Sequence, residues 1–224
     1  MYQITPITGQ QWAVHRVENM PEPIEVGEIV PNVNLSRFAP DGKTVIDFST
    51  GTELSQGRVA LFCLTKAFCS NEYLKAIVKT AEAFKKLNVK IFCTTFNTKQ
   101  EMYAWGQQHD PNHRIHMIPD FNGEFISSLG MGIIESRGRH LGFISKTATI
   151  FLINGIVVDV QIAKNSALYT NTSAQSLLNK IPTILKANSH IDSFPGSLDD
   201  VFKGMEAFIN PRGADRLFKF LLTE

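Results

Sequence analysis

Short apolar runs separated by helical patterns constrain the fold of this chain more than any other feature. The runs lie at residues 58–64 (RVALFCL), 89–96 (VKIFCTTF) and 147–153 (TATIFLI). Continuous apolar runs of this length are typical of strands that are buried on both faces of a sheet. Residues 73–87 repeat apolar side chains every three or four positions, as an amphipathic helix does. The alternation predicts an α/β fold whose core strands are parallel.

Further local signals complete this pattern. Residues 28–49 alternate apolar and polar positions around the turn sequence Pro-Asp-Gly-Lys, which predicts a β-hairpin. Asn154-Gly155 is a two-residue turn signal that predicts a second hairpin. Thr98 and Glu101 have the spacing of a capping box, so a second helix is predicted over 98–108. We therefore expect a mixed central sheet flanked by helices.

Changes in composition and sequence pattern along the chain predict three parts. Residues 1–24 are mixed and proline-containing and are interpreted as an N-terminal arm. Residues 25–187 form the main domain, with a polar loop predicted at 135–140. Residues 188–224 are predicted to be a helical C-terminal extension, in which a linker at 189–197 precedes two short amphipathic helices.

Composition and charge exclude several classes of function. The formal net charge is +1, which gives no electrostatic reason to expect a nucleic-acid or anionic-membrane partner. No apolar run approaches the roughly 20 residues that span a bilayer, and the first residues do not have the pattern of a secretory signal. Three cysteines, an odd number, argue against a disulfide framework. We expect a cytoplasmic protein with reduced thiols.

One stretch, VALFCLTKAFCSNEYLKAIV, connects the chain to a known family. It resembles the active-site region of peroxiredoxins of the type 5 class, in the redoxin family. The resemblance continues through IFCTTFN, MYAWG, FNGEFISSLGM and the Ile-Asn-Gly-Ile-Val turn, and it covers roughly residues 25 to 180. It implies a thioredoxin-like fold and a thiol-dependent peroxidase with an antioxidant role. The implied substrates are hydrogen peroxide or alkyl hydroperoxides.

Cys69 matches the nucleophile that the family calls peroxidatic. The chemistry requires a thiolate, because a thiol is a poor nucleophile. Cys69 comes just before the helix predicted over 73–87, and the N–H groups at a helix N-terminus favour an anion. Attack on a peroxide oxygen gives a sulfenic acid, which a second thiol then resolves.

The loop before Cys69 departs from the family pattern, which reads Pro-Gly-Ala-Phe-Thr-Pro-X-Cys. Here it reads Thr-Lys-Ala-Phe-Cys, so Thr65 replaces the proline and three residues are absent. One of them is the threonine whose hydroxyl holds the peroxide in the family. The nearest polar residues that could replace it are Thr65, Lys66 and Ser70.

The strand before Asn154-Gly155 also departs from the family, which places an arginine there to stabilise the thiolate and the leaving oxygen. Counting back from Gly155, this position is Thr147. Lys146 is adjacent, but neighbouring side chains on a strand face opposite ways. Arg137 and Arg139, in the predicted polar loop, are other possible donors.

Residues 167–176 contain no cysteine, although the family's two-cysteine members carry their resolving thiol in this loop. The resemblance therefore implies one-cysteine behaviour with an external thiol of the thioredoxin, glutaredoxin or glutathione type. It also implies a homodimer. We expect no cofactor and no metal. Cys63 and Cys93 lie on predicted buried strands and are expected to be core thiols, although a disulfide from an oxidised Cys69 to Cys63 stays open.

The sequence leaves three functions open. The first is the peroxidase, which uses Cys69. The second is a binding or scaffold protein that keeps the fold without the chemistry, as the shortened loop and Thr147 would allow. The third is a slow redox sensor, in which Cys69 oxidises without efficient turnover.

Overall fold

The computed structural model describes the backbone of residues 2–7, 11–16, 21–137, 140–163 and 171–192. In chain order, the elements are β1 (Tyr2–Ile7), β2 (Gln11–Arg16), β3 (Asn34–Phe38), β4 (Val45–Ser49), α1 (Thr50–Leu54), β5 (Arg58–Cys63), α2 (Asn71–Lys86), β6 (Val89–Thr95), α3 (Lys99–His109), β7 (His116–Pro119), α4 (Glu124–Ser128), β8 (Gly132–Arg137), β9 (His140–Ser145), β10 (Ala148–Ile153), β11 (Ile156–Ile162), α5 (Ala174–Ala187) and α6 (Ser189–Asp192).

Five strands form the central sheet, in the order β11-β10-β5-β6-β7. Strands β5, β6 and β7 run parallel, and β10 is antiparallel to both of its neighbours. Val59 to Cys63 in β5 are completely buried, as a strand covered on both faces requires. The predicted α/β fold with a mixed sheet flanked by helices is therefore confirmed.

Each face of the sheet has its own apolar core. On one face, α2, α3 and α5 pack over alternate residues of the strands, with Phe62, Phe84 and Trp105 among the buried side chains. On the other face, α1 and α4 contribute Leu54 and Phe125 to a second cluster. Since successive strand residues point to opposite faces, the apolar runs of the sequence supply both cores. The capping box predicted at Thr98 and Glu101 is present at the start of α3.

Two loop predictions are wrong. Residues 135–137 and 140, predicted to lie in a polar loop, belong to the antiparallel strands β8 and β9, in which Arg137 pairs with His140. The apolar residues of the two strands favour this pairing more than their charged residues oppose it. The linker predicted at 189–197 begins as the helix α6. Its Ile191 is buried and its Asp192 forms an ion pair with Arg58 of β5, contacts that a solvated linker would not make.

The remaining part of the predicted extension, including both of its amphipathic helices, lies outside the described residues. The N-terminal arm contains the antiparallel pair β1–β2. In the part of the chain that the structure describes, no helix is both long and apolar enough to cross a membrane.

Candidate active site

Several polar residues meet at one edge of the central sheet. The parallel strands β5, β6 and β7 all end at this edge, and β10 begins there, because Ala148 pairs with Cys63. The loop of residues 64–70 leaves β5 at this edge and leads into α2. Cys69 lies in this loop, two residues before α2 begins. We call this side of the sheet the carboxyl edge.

Exposure separates Cys69 from the other two cysteines. Cys69 is exposed, whereas Cys63 and Cys93 are both completely buried. The two buried thiols lie in the cores on opposite faces of the sheet. Burial, together with the nearby Asp120 carboxylate, raises the pKa of Cys63 to about 12. Burial also raises the pKa of Cys93. Both buried thiols therefore stay protonated and protected from solvent at neutral pH, as their strand positions predicted.

The turn that presents Cys69 is tight. Phe68 has a φ angle of 62°, in the left-handed region that bulky residues rarely adopt. The Cys69 amide donates to the Ala67 carbonyl at 2.7 Å. The Ala67 amide in turn donates to Oδ1 of Asn97 at 2.8 Å, which fixes the loop to the end of β6. The short loop therefore enters α2 through a turn that contains a left-handed residue.

The first turn of α2 has an unusual start. Ser70 is its N-cap residue, but no hydrogen bond from the Ser70 side chain caps the helix. The Ser70 hydroxyl instead lies 3.1 Å from the hydroxyl of Thr65. The structure therefore brings two of the predicted site residues together beside Cys69. Their sequence separation of five residues gave no sign of this pair.

Asn71, the first residue of α2, connects this helix to α3. Its Oδ1 atom accepts from Nε1 of Trp105 at 2.8 Å and lies 3.1 Å from Nε2 of His109. None of these contacts was predicted. The available signal was the four-residue spacing of Trp105 and His109, which places both side chains on one face of a helix.

Thr147 and Lys146 lie just before β10. Thr147 is almost completely buried, and by alternation it shares a face with Thr149, whose hydroxyl bonds in the core beneath α2. The Lys146 ammonium donates instead to the Gly130 carbonyl at 3.3 Å, beside the core on the other face. The position that matches the family's arginine therefore lies on the α2 side and carries a hydroxyl without a charge.

A buried hydroxyl cluster lies beneath the first turn of α2. The Tyr73 hydroxyl faces the side chains of Thr172 and Thr149, and burial raises the pKa of Tyr73 more than these polar neighbours lower it. Thr149 also donates to the Thr172 carbonyl at 2.6 Å. This cluster joins α2, β10 and the segment before α5. Sequence reasoning missed it, because its three members are far apart in the chain.

Asp120 follows β7 at the same edge and is completely buried. Its Oδ2 atom accepts from the Ile126 amide at 2.7 Å, while Oδ1 is buried without a hydrogen-bond partner. Burial raises the pKa of Asp120 more than its backbone hydrogen bonds lower it. The carboxyl edge thus carries a carboxyl group that is costly to ionise.

Two arginines were named as other candidate donors. Arg137 ends β8, and Arg139 lies outside the described residues. In the described ranges, no group of three or more His, Cys, Asp or Glu side chains could hold a metal ion. The edge therefore combines one exposed thiol with hydroxyl and amide groups. Such an arrangement can support nucleophilic attack by sulfur, followed by repair with a thiol from solution.

Comparisons with known proteins agree with this geometry. The Redoxin family model matches residues 25–178. The chain is 28% identical over 167 residues to chloroplastic Peroxiredoxin-2E of Arabidopsis thaliana, covering 70% of this chain and 69% of that one. It is 29% identical over 143 residues to Hybrid peroxiredoxin hyPrx5 of Haemophilus influenzae, covering 62% and 58%.

Solved structures show the same fold. Peroxiredoxin 5 from Alvinella pompejana superposes with a TM-score of 0.60 and 25% identity, covering 72% of this chain and 99% of that one. Reduced Prx3 from Vibrio vulnificus, in complex with hydrogen peroxide, gives a TM-score of 0.63 at 21% identity, covering 71% and 96%. The predicted thioredoxin-like fold is confirmed, and the chain belongs to the redoxin family.

Proposed function

We propose that this redoxin is a thiol-dependent peroxidase in which Cys69 is the nucleophile. The observation that carries the proposal is that Cys69 is exposed at the start of α2, whereas Cys63 and Cys93 are sealed in the two cores. The relatives, which are peroxiredoxins, support the same reaction class. The substrates are hydrogen peroxide or alkyl hydroperoxides.

The reaction has two stages. The Cys69 thiolate attacks one peroxide oxygen, the O–O bond breaks, and the other oxygen leaves as water or an alcohol after taking a proton. Cys69 is thereby oxidised by two electrons to a sulfenic acid. An external thiol then attacks the sulfur, and water leaves. A second thiol attacks the resulting mixed disulfide, which releases Cys69 and leaves the two external thiols joined as a disulfide.

Hydroxyl groups take the place of the family's donors in this proposal. Thr65 and Ser70, whose hydroxyls lie 3.1 Å apart, are proposed to contact the peroxide beside Cys69. Thr147 occupies the arginine position, and its neutral hydroxyl supplies less stabilisation than a guanidinium would. Lys146 is proposed to contribute only through its charge, since its ammonium bonds to Gly130. Loss of one preorganised donor typically costs about 100- to 1000-fold in rate, so we expect slow turnover.

The reductant is proposed to be an external thiol of the thioredoxin, glutaredoxin or glutathione type. Burial of Cys63 and Cys93 supports this, because neither thiol can reach an exposed sulfenic acid without unfolding.

We also propose a cytoplasmic location, which the three free cysteines support. A homodimer is proposed from the exposed rings of Phe68 and Phe121 near the carboxyl edge, and analytical ultracentrifugation of Phe121→Asp against the native chain tests it.

Peroxide consumption tests the central proposal. The native chain, Cys69→Ser and the matched control Cys63→Ala would be compared with hydrogen peroxide and dithiothreitol. We expect Cys69→Ser to lose turnover completely and Cys63→Ala, if folded, to keep it. Turnover that survives in Cys69→Ser would contradict the assignment of the nucleophile.

The non-catalytic alternative is favoured by one observation, the uncharged Thr147 at the arginine position. In a binding or scaffold protein, Cys69 would react with peroxide no faster than a free cysteine. In a slow redox sensor, Cys69 would become oxidised only slowly, so turnover with dithiothreitol would be inefficient. The same experiment, followed over single and multiple turnovers, separates the three functions.

A further inference from the structure

The segment around Cys69 is fixed at both ends by asparagine side chains. Two residues before Cys69, the Ala67 amide donates to Oδ1 of Asn97. Two residues after it, Asn71 accepts hydrogen bonds from α3. Between these points, Phe68 is left-handed and the Cys69 amide closes a tight turn. A strained segment persists only where its surroundings hold it in place.

The first turn of α2 lacks a side-chain cap but is attached to α3 through Asn71. A capping side chain typically contributes about 1 kcal/mol to a helix start. The Ser70 side chain makes no capping bond, because its hydroxyl faces Thr65. Asn71 instead ties the first turn of α2 to a neighbouring helix.

The support behind Asn71 is rigid. Trp105 is completely buried, and His109, four residues later, packs edge-to-face on its indole at 6.5 Å between ring centroids. Helix α3 is itself fixed at its start by the capping box of Thr98 and Glu101. One oxygen atom therefore receives two donors from a well-anchored helix, and both lone pairs of the Asn71 amide oxygen are used.

We propose that Asn71 is a positioning residue for Cys69. By binding Trp105 and His109, it holds the strained turn of residues 67–69 in the conformation that keeps the sulfur at the start of α2. The inference deepens the proposed function and rests on it for its biological purpose. Lys66, Glu72 and Lys75 are ionisable residues close to this turn in the sequence, and His109 contacts Asn71 from α3. The Glu72 carboxylate pairs with Lys75 at 2.7 Å. The pKa of Glu72 is lowered mainly by Lys75 and to a smaller extent by the charge of His109.

Alkylation of Cys69 by iodoacetamide, followed across pH, tests the inference. The reagent reacts with any accessible thiolate, so the experiment does not need peroxidase activity. The variants are Asn71→Ala, His109→Ala and the double variant. Asn179→Ala is the matched control, because Asn179 also accepts a side-chain hydrogen bond on a helix surface, from Gln175.

We expect Asn71→Ala to slow alkylation at neutral pH by about tenfold, which corresponds to the loss of roughly one hydrogen bond. His109→Ala should give a smaller loss in the same direction. The double variant should be no slower than Asn71→Ala, since both changes break the same contact. Asn179→Ala should match the native chain.

Two results would overturn the inference. One is an Asn71→Ala variant with native circular dichroism whose alkylation rate equals that of the native chain at every pH tested. The other is a double variant whose loss is the product of the two single losses, which would mean that Asn71 and His109 act separately. If the native chain consumes no peroxide, the proposed function fails, but the alkylation cycle still reports on Asn71.

Discussion

The two ends of strand β5 are held in different ways. At its amino end, the Arg58 guanidinium donates to both carboxylate oxygens of Asp192 and to the Leu87 carbonyl. The Asn154 side chain joins the same region, since it accepts from the Gly57 amide and donates to the Ile191 carbonyl. These contacts tie α6 and the β10–β11 turn to the sheet, and they satisfy each of these polar side chains.

The carboxyl end of β5 is less well satisfied. Phe68 has a positive φ angle, and the Ser70 side chain does not cap the helix that it precedes. Oδ1 of Asp120 and Oγ1 of Thr94 are buried without hydrogen-bond partners. Cys69 is exposed in the middle of this region.

The difference indicates where stability and chemistry are located in this fold. Proteins concentrate strained backbone and unsatisfied polar groups at functional sites, and better-paired regions elsewhere offset the cost. Substitutions at the amino end of β5 should therefore alter the free energy of unfolding without altering the reactivity of Cys69. Substitutions at the carboxyl end should alter the free energy of unfolding and the reactivity of Cys69.

The largest effect is expected for Arg58→Ala. The substitution removes the charge-assisted bonds to Asp192 and the bond to the Leu87 carbonyl, so we expect the free energy of unfolding to fall by about 2 to 3 kcal/mol. Urea denaturation measures this change. The rate of Cys69 alkylation should stay at its native value in the folded variant. A slower Cys69 would contradict the separation of the two ends.

Asn97→Ala should have the next largest effect. It removes the acceptor of the Ala67 amide and of the Thr95 hydroxyl, and also the donor to Glu101. We expect a loss of about 1 to 2 kcal/mol in the free energy of unfolding. Unlike Arg58→Ala, this variant should also slow the reaction of Cys69 with iodoacetamide. An unchanged rate would mean that the loop does not depend on its attachment to β6.

The comparison also explains which features the sequence could predict. The core strands, the α2 and α3 helices and the capping box depend on neighbouring residues, so periodicity and spacing identified them. Helix α6 was missed because its contact with the sheet, the ion pair of Asp192 with Arg58, joins residues 134 positions apart. The β8–β9 pairing was missed because the charged residues at 135–140 were given more weight than the apolar residues on either side.

The candidate site shows the same division. The resemblance located Cys69, and its neighbours Thr65 and Ser70 followed from proximity in the chain. The groups that hold Cys69 in place come from elsewhere, since Ala67 and Asn97 are 30 residues apart and Asn71 and Trp105 are 34 apart. Only the folded chain brings these pairs together. The sequence therefore proposes a candidate nucleophile but not the groups that hold it in place.

Asp120→Asn should have a smaller effect, which depends on pH. Burial raises the pKa of Asp120 in the folded chain above its unfolded value of 3.8, so the native state binds the proton more tightly. Its stabilising contribution is complete below the unfolded pKa and is lost as pH rises through the folded pKa. We expect Asp120→Asn to be more stable than the native chain at neutral pH, with the difference in the free energy of unfolding closing in acid. Urea denaturation at several pH values measures the gap, and a gap that widens in acid would contradict this.

The smallest effect is expected at Phe68, where comparing a glycine with an alanine substitution measures the strain of its backbone. Glycine normally destabilises a chain relative to alanine by about 0.5 to 1 kcal/mol, but a left-handed residue with a Cβ atom costs about 1 to 2 kcal/mol. At a φ of 62°, Phe68→Gly should therefore be more stable than Phe68→Ala by about 0.5 to 1 kcal/mol in thermal unfolding, the reverse of the usual order. If the strain serves Cys69, the glycine variant should also react more slowly with iodoacetamide, because its relaxed turn no longer holds the sulfur at the start of α2. A glycine variant that is more stable and equally reactive would show that the strain results from the short loop alone and contributes nothing to the thiol.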